Sequence, residues 1–374
     1  EMISNNELKT LKTELSKLNP PDIAEIISDL PKEDILVIFR ILPKELASET
    51  FTFTPNSLQE TIISSFTDEE TESIINSLFI DDTVDVIEEM PAGVVKKILK
   101  NTDPKRRQII NEILNYPSES AGSIMTTEFV NFRPDITIQR AFEIIRKTGV
   151  NKETVYTCYV IDKQRKLLGE VSVKDLLLND YSSTVGEIMD ENVISVKTTD
   201  DREFVANQMS KYDLLAIPVT DNENRLVGIV TFDDAMDVIA KEREEDFAIM
   251  AAISPSEDSY FKTSVLTHSK NRIIWLLFLM LSATVTGVII SKYEAAISAI
   301  PILVSFIPML MDTGGNAGSQ ASVSVIRSLS LDEITYKDTF KVIWKEIRVS
   351  ILCGLTLALA NFAKLLFFEI RSEE

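Results

Sequence analysis

Leu168-Gly169-Glu170-Val171-Ser172-Val173-Lys174-Asp175 returns 59 residues later as Val227-Gly228-Ile229-Val230-Thr231-Phe232-Asp233-Asp234. Upstream, Ile124-Met125 recurs as Ile188-Met189 at a spacing of 64. The five-residue difference places an insertion around Gly149–Thr157 of the first copy. In each copy a helical run (Ile138–Arg146; Phe204–Tyr212) precedes a β-rich strand (Cys158–Ile161; Ala216–Val219). A turn with glycine, a second strand and a final helix then follow. A period near 60 residues exceeds a solenoid unit and suits two paired α/β modules.

Working outward toward the N-terminus, residues up to about Tyr116 read as short helices punctuated by proline. Leu30-Pro31, Leu42-Pro43 and Met90-Pro91 each close an apolar-periodic segment. Ile23-Ile26-Ile27-Leu30 and Ile35-Ile38-Phe39-Leu42 have helical spacing, and acids often follow the prolines, where they suit a helix N-terminus. The expectation is an all-α superhelical stack with no catalytic chemistry of its own.

Working outward toward the C-terminus, the composition changes. Up to Lys270 there are 29 Lys/Arg against 49 Asp/Glu; from Asn271 onward there are 9 of each. The first part therefore carries the whole net charge of −20, which repels nucleic acid and attracts cations. Three apolar runs occupy the second part, at about 273–291, 297–326 and 349–368, each long enough to cross a bilayer core. Asp312 interrupts the second and Lys364 the third, where a lysine near the end can snorkel.

Basic residues orient these spans. Lys262, Lys270 and Arg272 precede the first, and Arg327, Lys337, Lys341, Lys345 and Arg348 separate the second from the third. The link after the first span holds only Lys292, with Glu294. The acidic part and the second link are thus expected on the cytoplasmic side of a multi-pass protein of the plasma membrane. The N-terminus, Glu1-Met2-Ile3-Ser4, has no signal-peptide pattern, in keeping with that side.

The middle span holds Pro301 and Pro308, then Met311-Asp312-Thr313-Gly314-Gly315-Asn316-Ala317-Gly318-Ser319-Gln320. Prolines and glycines at this density weaken a helix, and an acid at membrane depth points to a polar pathway. Close packing through small residues accounts for the glycines but not for Asp312, Asn316 and Gln320 together. Asp312, Gly314, Gly315, Asn316 and Gln320 are therefore the candidate pore residues. With two cysteines (Cys158, Cys353) and one histidine (His268), neither a disulfide framework nor a Cys/His metal site is available. No nucleophile–base pair is visible, so an enzyme is not expected.

The repeated modules resemble tandem cystathionine-β-synthase-type (CBS) domains. With a helical acidic domain before them and the Gly-Gly-Asn motif after them, the whole chain resembles the MgtE family of magnesium transporters. The resemblance implies an acidic N domain (1–120), two CBS domains (121–182 and 183–246), a connecting plug helix (247–271) and a transmembrane domain (272–374). It implies a homodimeric, Mg²⁺-selective channel with five transmembrane helices per subunit. The last two of these, with an acid in the final helix, fall outside the three spans read here. Mg²⁺ bound between the cytosolic domains is implied to favour the closed state. The implied sensor acids are Asp81, Asp82, Asp85, Asp201, Glu203, Asp213, Asp234, Asp237, Glu242, Glu245 and Asp246. Ser172-x-x-Asp175 resembles a signature whose acid holds a ribose, which makes Lys174 and Asp175 candidate ATP contacts. Two functions stay open on the sequence: a Mg²⁺-gated magnesium channel, and a membrane-tethered Mg²⁺ or nucleotide sensor that does not itself conduct.

Overall fold

The computed structural model describes residues 7–254, 263–295, 302–331 and 333–372. It divides into two compact units, residues 1–239 and 240–374. Residues 255–262 at the centre of the expected plug segment, Lys262 among them, and residues 296–301 at the start of the expected second span, Pro301 among them, lie outside the described residues.

The first unit opens with nine short helices: α1 (Leu8–Leu15), α2 (Pro20–Ser28), α3 (Lys32–Ile41), α4 (Lys44–Thr52), α5 (Asn56–Ser65), α6 (Asp68–Ile75), α7 (Ile80–Glu89), α8 (Ala92–Asn101) and α9 (Pro104–Ile113). Pro31, Pro43, Pro55 and Pro91 stand at the N-caps of α3, α4, α5 and α8. There the missing N–H costs nothing and the fixed φ starts the next helix. Each helix packs on the one two places along, α2 on α4 on α6 on α8 and α3 on α5 on α7 on α9. This is the expected superhelical stack. Ile23, Ile27, Ile35, Ile38 and Phe39 are buried in its core. Ile26, which shares their periodicity, is 51% exposed.

Two three-stranded sheets follow. In the first, β1 (Asn131–Phe132) runs parallel to β2 (Thr157–Ile161), which pairs antiparallel with β3 (Leu167–Ser172). The second repeats this order with β4 (Val196–Lys197), β5 (Ala216–Thr220) and β6 (Leu226–Thr231). Helix α10 (Ile138–Thr148) and a 3₁₀ turn at Gly149–Asn151 separate β1 from β2, and α11 (Val173–Leu178) follows β3. In the second module α12 (Val185–Ile188) leads in, α13 (Arg202–Tyr212) separates β4 from β5, and α14 (Phe232–Met250) follows β6. The insertion in the first copy falls after α10, as the spacing predicts.

The repeated Ile-Met and Gly residues mark an exchange between modules. Thr126, just after Ile124-Met125, bridges to Ile229 on β6, and Asp190, just after Ile188-Met189, bridges to Glu170 on β3. A Cβ on Gly228 would lie 2.6 Å from Met125 Sδ and 2.8 Å from the Thr126 carbonyl oxygen; one on Gly169 would lie 2.8 Å from the Asp190 carbonyl oxygen. Each module thus lays its lead-in segment across the other's last strand, and only glycine admits so close an approach.

In the second unit, α15 (Val265–Lys292) has an 18-residue window of mean hydropathy 2.5. Among the described residues it is the one helix both long and apolar enough to cross a membrane. Val265–Asn271, the end of the segment expected to lead into the first span, are the first turns of this same helix, capped by Ser264. The second and third runs lie in α16 (Ile302–Ser330) and α17 (Thr339–Ser372). Pro308 and the glycines do not break α16, contrary to the weakening expected from them. A proline removes one backbone donor, and a 29-residue helix retains the other hydrogen bonds on either side of it.

Candidate functional site

Helix α7 begins with Asp81 and Asp82 in its first turn, and Asp85 follows one turn later. Helix α14 begins with Asp233 and Asp234. The N-terminal end of a helix favours carboxylates through its unpaired N–H groups, so each pair is locally reasonable. Folding then brings the pairs together. Asp81 is only 7% exposed and feels the charges of Asp234, Glu153 and Asp82. Asp82 lies beside Asp85, Asp233 and Glu128, and Glu153 beside Asp82, Asp233, Asp234 and Glu128. Seven carboxylates from the helical stack, the segment before β1, the insertion after α10 and the start of α14 form one acidic junction.

Burial, reinforced by mutual repulsion, lifts the pKa values of Asp81, Asp82, Glu153 and Asp234. Asp82 is pushed up to about 6, Asp234 to about 7 and Glu153 to about 8. Asp81 is raised well above the carboxylate range for the same reasons. Thr231 opposes the trend at Asp234 by donating its hydroxyl to Oδ2 at 2.5 Å. Glu153 Oε2 is buried and has no hydrogen-bond partner among the described residues. No three acidic, histidine or cysteine side chains among the described residues stand close enough to hold a metal ion by direct ligation.

A guanidinium reaches this junction from the helical stack. Arg106 on α9 donates through Nη1 to Glu128 Oε1 at 3.0 Å and through Nη2 to the Leu78 carbonyl at 2.5 Å. Glu128 Oε2 accepts the Ile80 backbone N–H at 2.9 Å, at the start of α7. The backbone N–H of Glu153 donates to the Glu128 carbonyl at 2.8 Å.

Of the residues singled out in the sequence, Asp81, Asp82, Asp85 and Asp234 meet here. Glu128, Glu153 and Asp233 were not singled out. Asp233 stood beside Asp234 in the repeat, and Glu153 lay in the insertion, the one stretch without a counterpart in the second copy. Glu128 carried no local signal. Asp237 is exposed one turn beyond Asp234 on α14. Asp201 and Asp213 are at opposite ends of α13. Asp201 caps its start by accepting the Glu203 N–H at 2.9 Å, and Asp213 ends it with a left-handed φ of 53°. An 11-residue helix separates those two acids by roughly 16 Å. Glu242, Glu245 and Asp246 lie on the part of α14 that belongs to the second unit, where Asp246 accepts a hydrogen bond from Ser330.

Asp175 and Ser172 form a capping box at the start of α11: Ser172 Oγ donates to Asp175 Oδ2 at 2.5 Å and accepts the Asp175 N–H at 3.1 Å. Thr231 and Asp234 hold the equivalent place in the second module. The repeated Ser/Thr-x-x-Asp is thus a helix-start device in both copies, and Lys174 beside it is exposed. Asp312, Asn316 and Gln320 recur every fourth residue, on one face of α16, and are exposed, as are Gly314 and Gly315. A cavity of about 750 Å³ in this unit lies lower on α16, between it and α17, lined by Val325, Leu329, Val342, Ile343 and Ile347 rather than by those polar residues.

Three family models account for most of the chain. Residues 18–119 match the MgtE intracellular N domain, 121–180 and 185–241 the CBS domain, and 307–372 the MgtE divalent cation transporter model. The chain belongs to the MgtE family. Its helical N domain, CBS pair and helical C-terminal region follow that family's order. It is 36% identical over 256 residues to the magnesium transporter MgtE of Thermus thermophilus, a match covering 68% of this chain and 57% of the relative. To the Enterococcus faecalis magnesium transporter MgtE it is 36% identical over 250 residues, covering 67% and 54%. The matched region thus spans little more than half the length of those relatives. Among solved structures, the cytosolic domain of the Mg²⁺ channel MgtE in complex with ATP matches with a TM-score of 0.61 at 31% identity, covering 63% of this chain and 96% of that one. The soluble part of a magnesium transporter matches with a TM-score of 0.61 at 29% identity, covering 64% and 95%.

Proposed function

We propose that this MgtE-family protein is a Mg²⁺-gated magnesium channel whose acidic junction senses cytosolic Mg²⁺ and favours the closed state when it is bound. The observation that carries this reading is the meeting of seven carboxylates from separate segments, with the buried acids lifted far above their ordinary pKa. Two unit charges about 5 Å apart at an effective dielectric near 20 repel by roughly 3 kcal/mol. Several such pairs weaken the seating of α7 on the CBS pair unless a cation lies between them. Mg²⁺ retains several of its waters, so a spread of carboxylates without close ligating geometry suits a hydrated ion bridging them through water. Rising Mg²⁺ then selects the compact arrangement by its differential affinity.

In this reading Asp201, Glu203, Asp213, Asp237, Glu242, Glu245 and Asp246 serve further cation sites. Asp312, Asn316 and Gln320, with the adjoining glycines, line the pore. The protein works as a homodimer in the bilayer, with its N and CBS domains cytoplasmic, and carries no catalytic activity. ATP is a second ligand, with Lys174 on its phosphates and the free oxygen of Asp175 on its ribose. The test is Mg²⁺ flux in proteoliposomes. Neutralising Asp81, Asp234 and Asp237 together is expected to weaken inhibition by cytosolic-side Mg²⁺ about tenfold or more. An unchanged Mg²⁺ dependence of flux overturns the sensor.

A further inference from the structure

The junction contains a carboxylate that binds the two domains together instead of pushing them apart. We infer that Glu128, held by Arg106, is a positioning residue: a cation-independent latch that keeps α7 seated on the CBS pair and sets how much Mg²⁺ the sensor needs. Glu128 belongs to the segment entering the first CBS domain, yet both its oxygens are spent on the helical stack. One takes the Arg106 guanidinium at 3.0 Å and the other the Ile80 N–H at 2.9 Å. Arg106 is anchored in turn on the Leu78 carbonyl, two residues before α7 begins. The ion pair is largely shielded, with side chains 19% and 16% exposed. Its charge-assisted bonds therefore hold far better than a surface pair would. The start of α7 is thus fastened across the domain boundary one residue before Asp81, where a shift of the helix would move every acid it carries.

This inference rests on the sensor reading for its effect on Mg²⁺, but the latch itself has a readout without Mg²⁺. Glu128→Gln removes one negative charge from a crowded acidic junction. Were Glu128 simply another repelling acid, that change would relax the repulsion and lower the Mg²⁺ requirement. As a latch, its loss does the opposite. Spin labels at the exposed positions Glu72→Cys and Lys163→Cys, in a Cys353→Ser background of the full chain, report the distance between the N domain and the first CBS domain. In Mg²⁺-free buffer Glu128→Gln is expected to lengthen and broaden that distance. On titration it is expected to raise the Mg²⁺ midpoint for closing about tenfold. Arg106→Lys, which keeps the charge but lacks the fork needed to reach Glu128 and Leu78 together, moves both readouts in the same direction by less. Retained circular dichroism shows that the variants fold. A distance unchanged or shortened in Mg²⁺-free buffer overturns the latch, whatever Mg²⁺ does. A lengthened distance with no Mg²⁺ response in the parent protein leaves the latch standing and overturns the sensor instead.

Discussion

At the scale of single residues, burial favours the neutral form of the acids at the heart of the junction. Asp82, Asp234 and Glu153 hold protons at pH values where an exposed carboxylate would not, with pKa values of about 6, 7 and 8. The folded state therefore binds more protons than the opened state between the ordinary carboxylate range and these values. By linkage their contribution to stability is fully present below that ordinary range and is lost as pH rises through about 6 to 8. Scanning calorimetry in Mg²⁺-free buffer is expected to show a melting temperature that falls between pH 5.5 and 8.5, mostly above about 6. Saturating Mg²⁺ should flatten the fall by supplying the missing positive charge. A melting temperature that rises over this interval contradicts the assigned burial. The sequence shows Asp81, Asp82 and Asp234 as acids at helix starts; it does not show Glu128, because nothing within ten residues marks it as facing α7.

At the scale of elements, the CBS pair depends on a reciprocal crossing that local pattern only hints at. The repeat exposed Ile-Met and Gly as recurring landmarks, and the sheets explain why they recur together: each module's Met segment lies on the other module's glycine. Gly228→Ala is expected to destabilise the pair by about 2 kcal/mol or more, since the Thr126 carbonyl, unlike a flexible side chain, cannot swing aside. Thermal unfolding checks this, with a melting temperature lowered by several degrees; an unaltered one removes the packing role. Secondary structure was legible wherever signals were strong and local, as in the prolines that open α3, α4 and α8. It was misread in α16, where composition argued for a weakened helix and a long run of backbone hydrogen bonds carried it through Pro308.

At the scale of the whole molecule, the division of charge is the organising fact: an acidic first part with all the net −20, and a second part that is electrically neutral and apolar. The basic residues of the second part predict its placement in the membrane. With Cys353→Ser as background, an impermeant thiol reagent is expected to reach Lys337→Cys only from the side of the N domain and Lys292→Cys only from the opposite side. Labelling of both from one side contradicts the orientation.

The sequence by itself determined the order of domains, the internal repeat, the helical stack, the apolar runs and the family resemblance, because these rest on periodicity and on residues near one another in the chain. Four of the seven acids of the junction were implied by that resemblance. Only the tertiary structure decided that Glu128, Glu153 and Asp233 join them. The reason is physical. Electrostatic and close-packing energies depend on separation in space, and α7, the segment before β1 and the start of α14 become neighbours only when the helical stack folds onto the CBS pair.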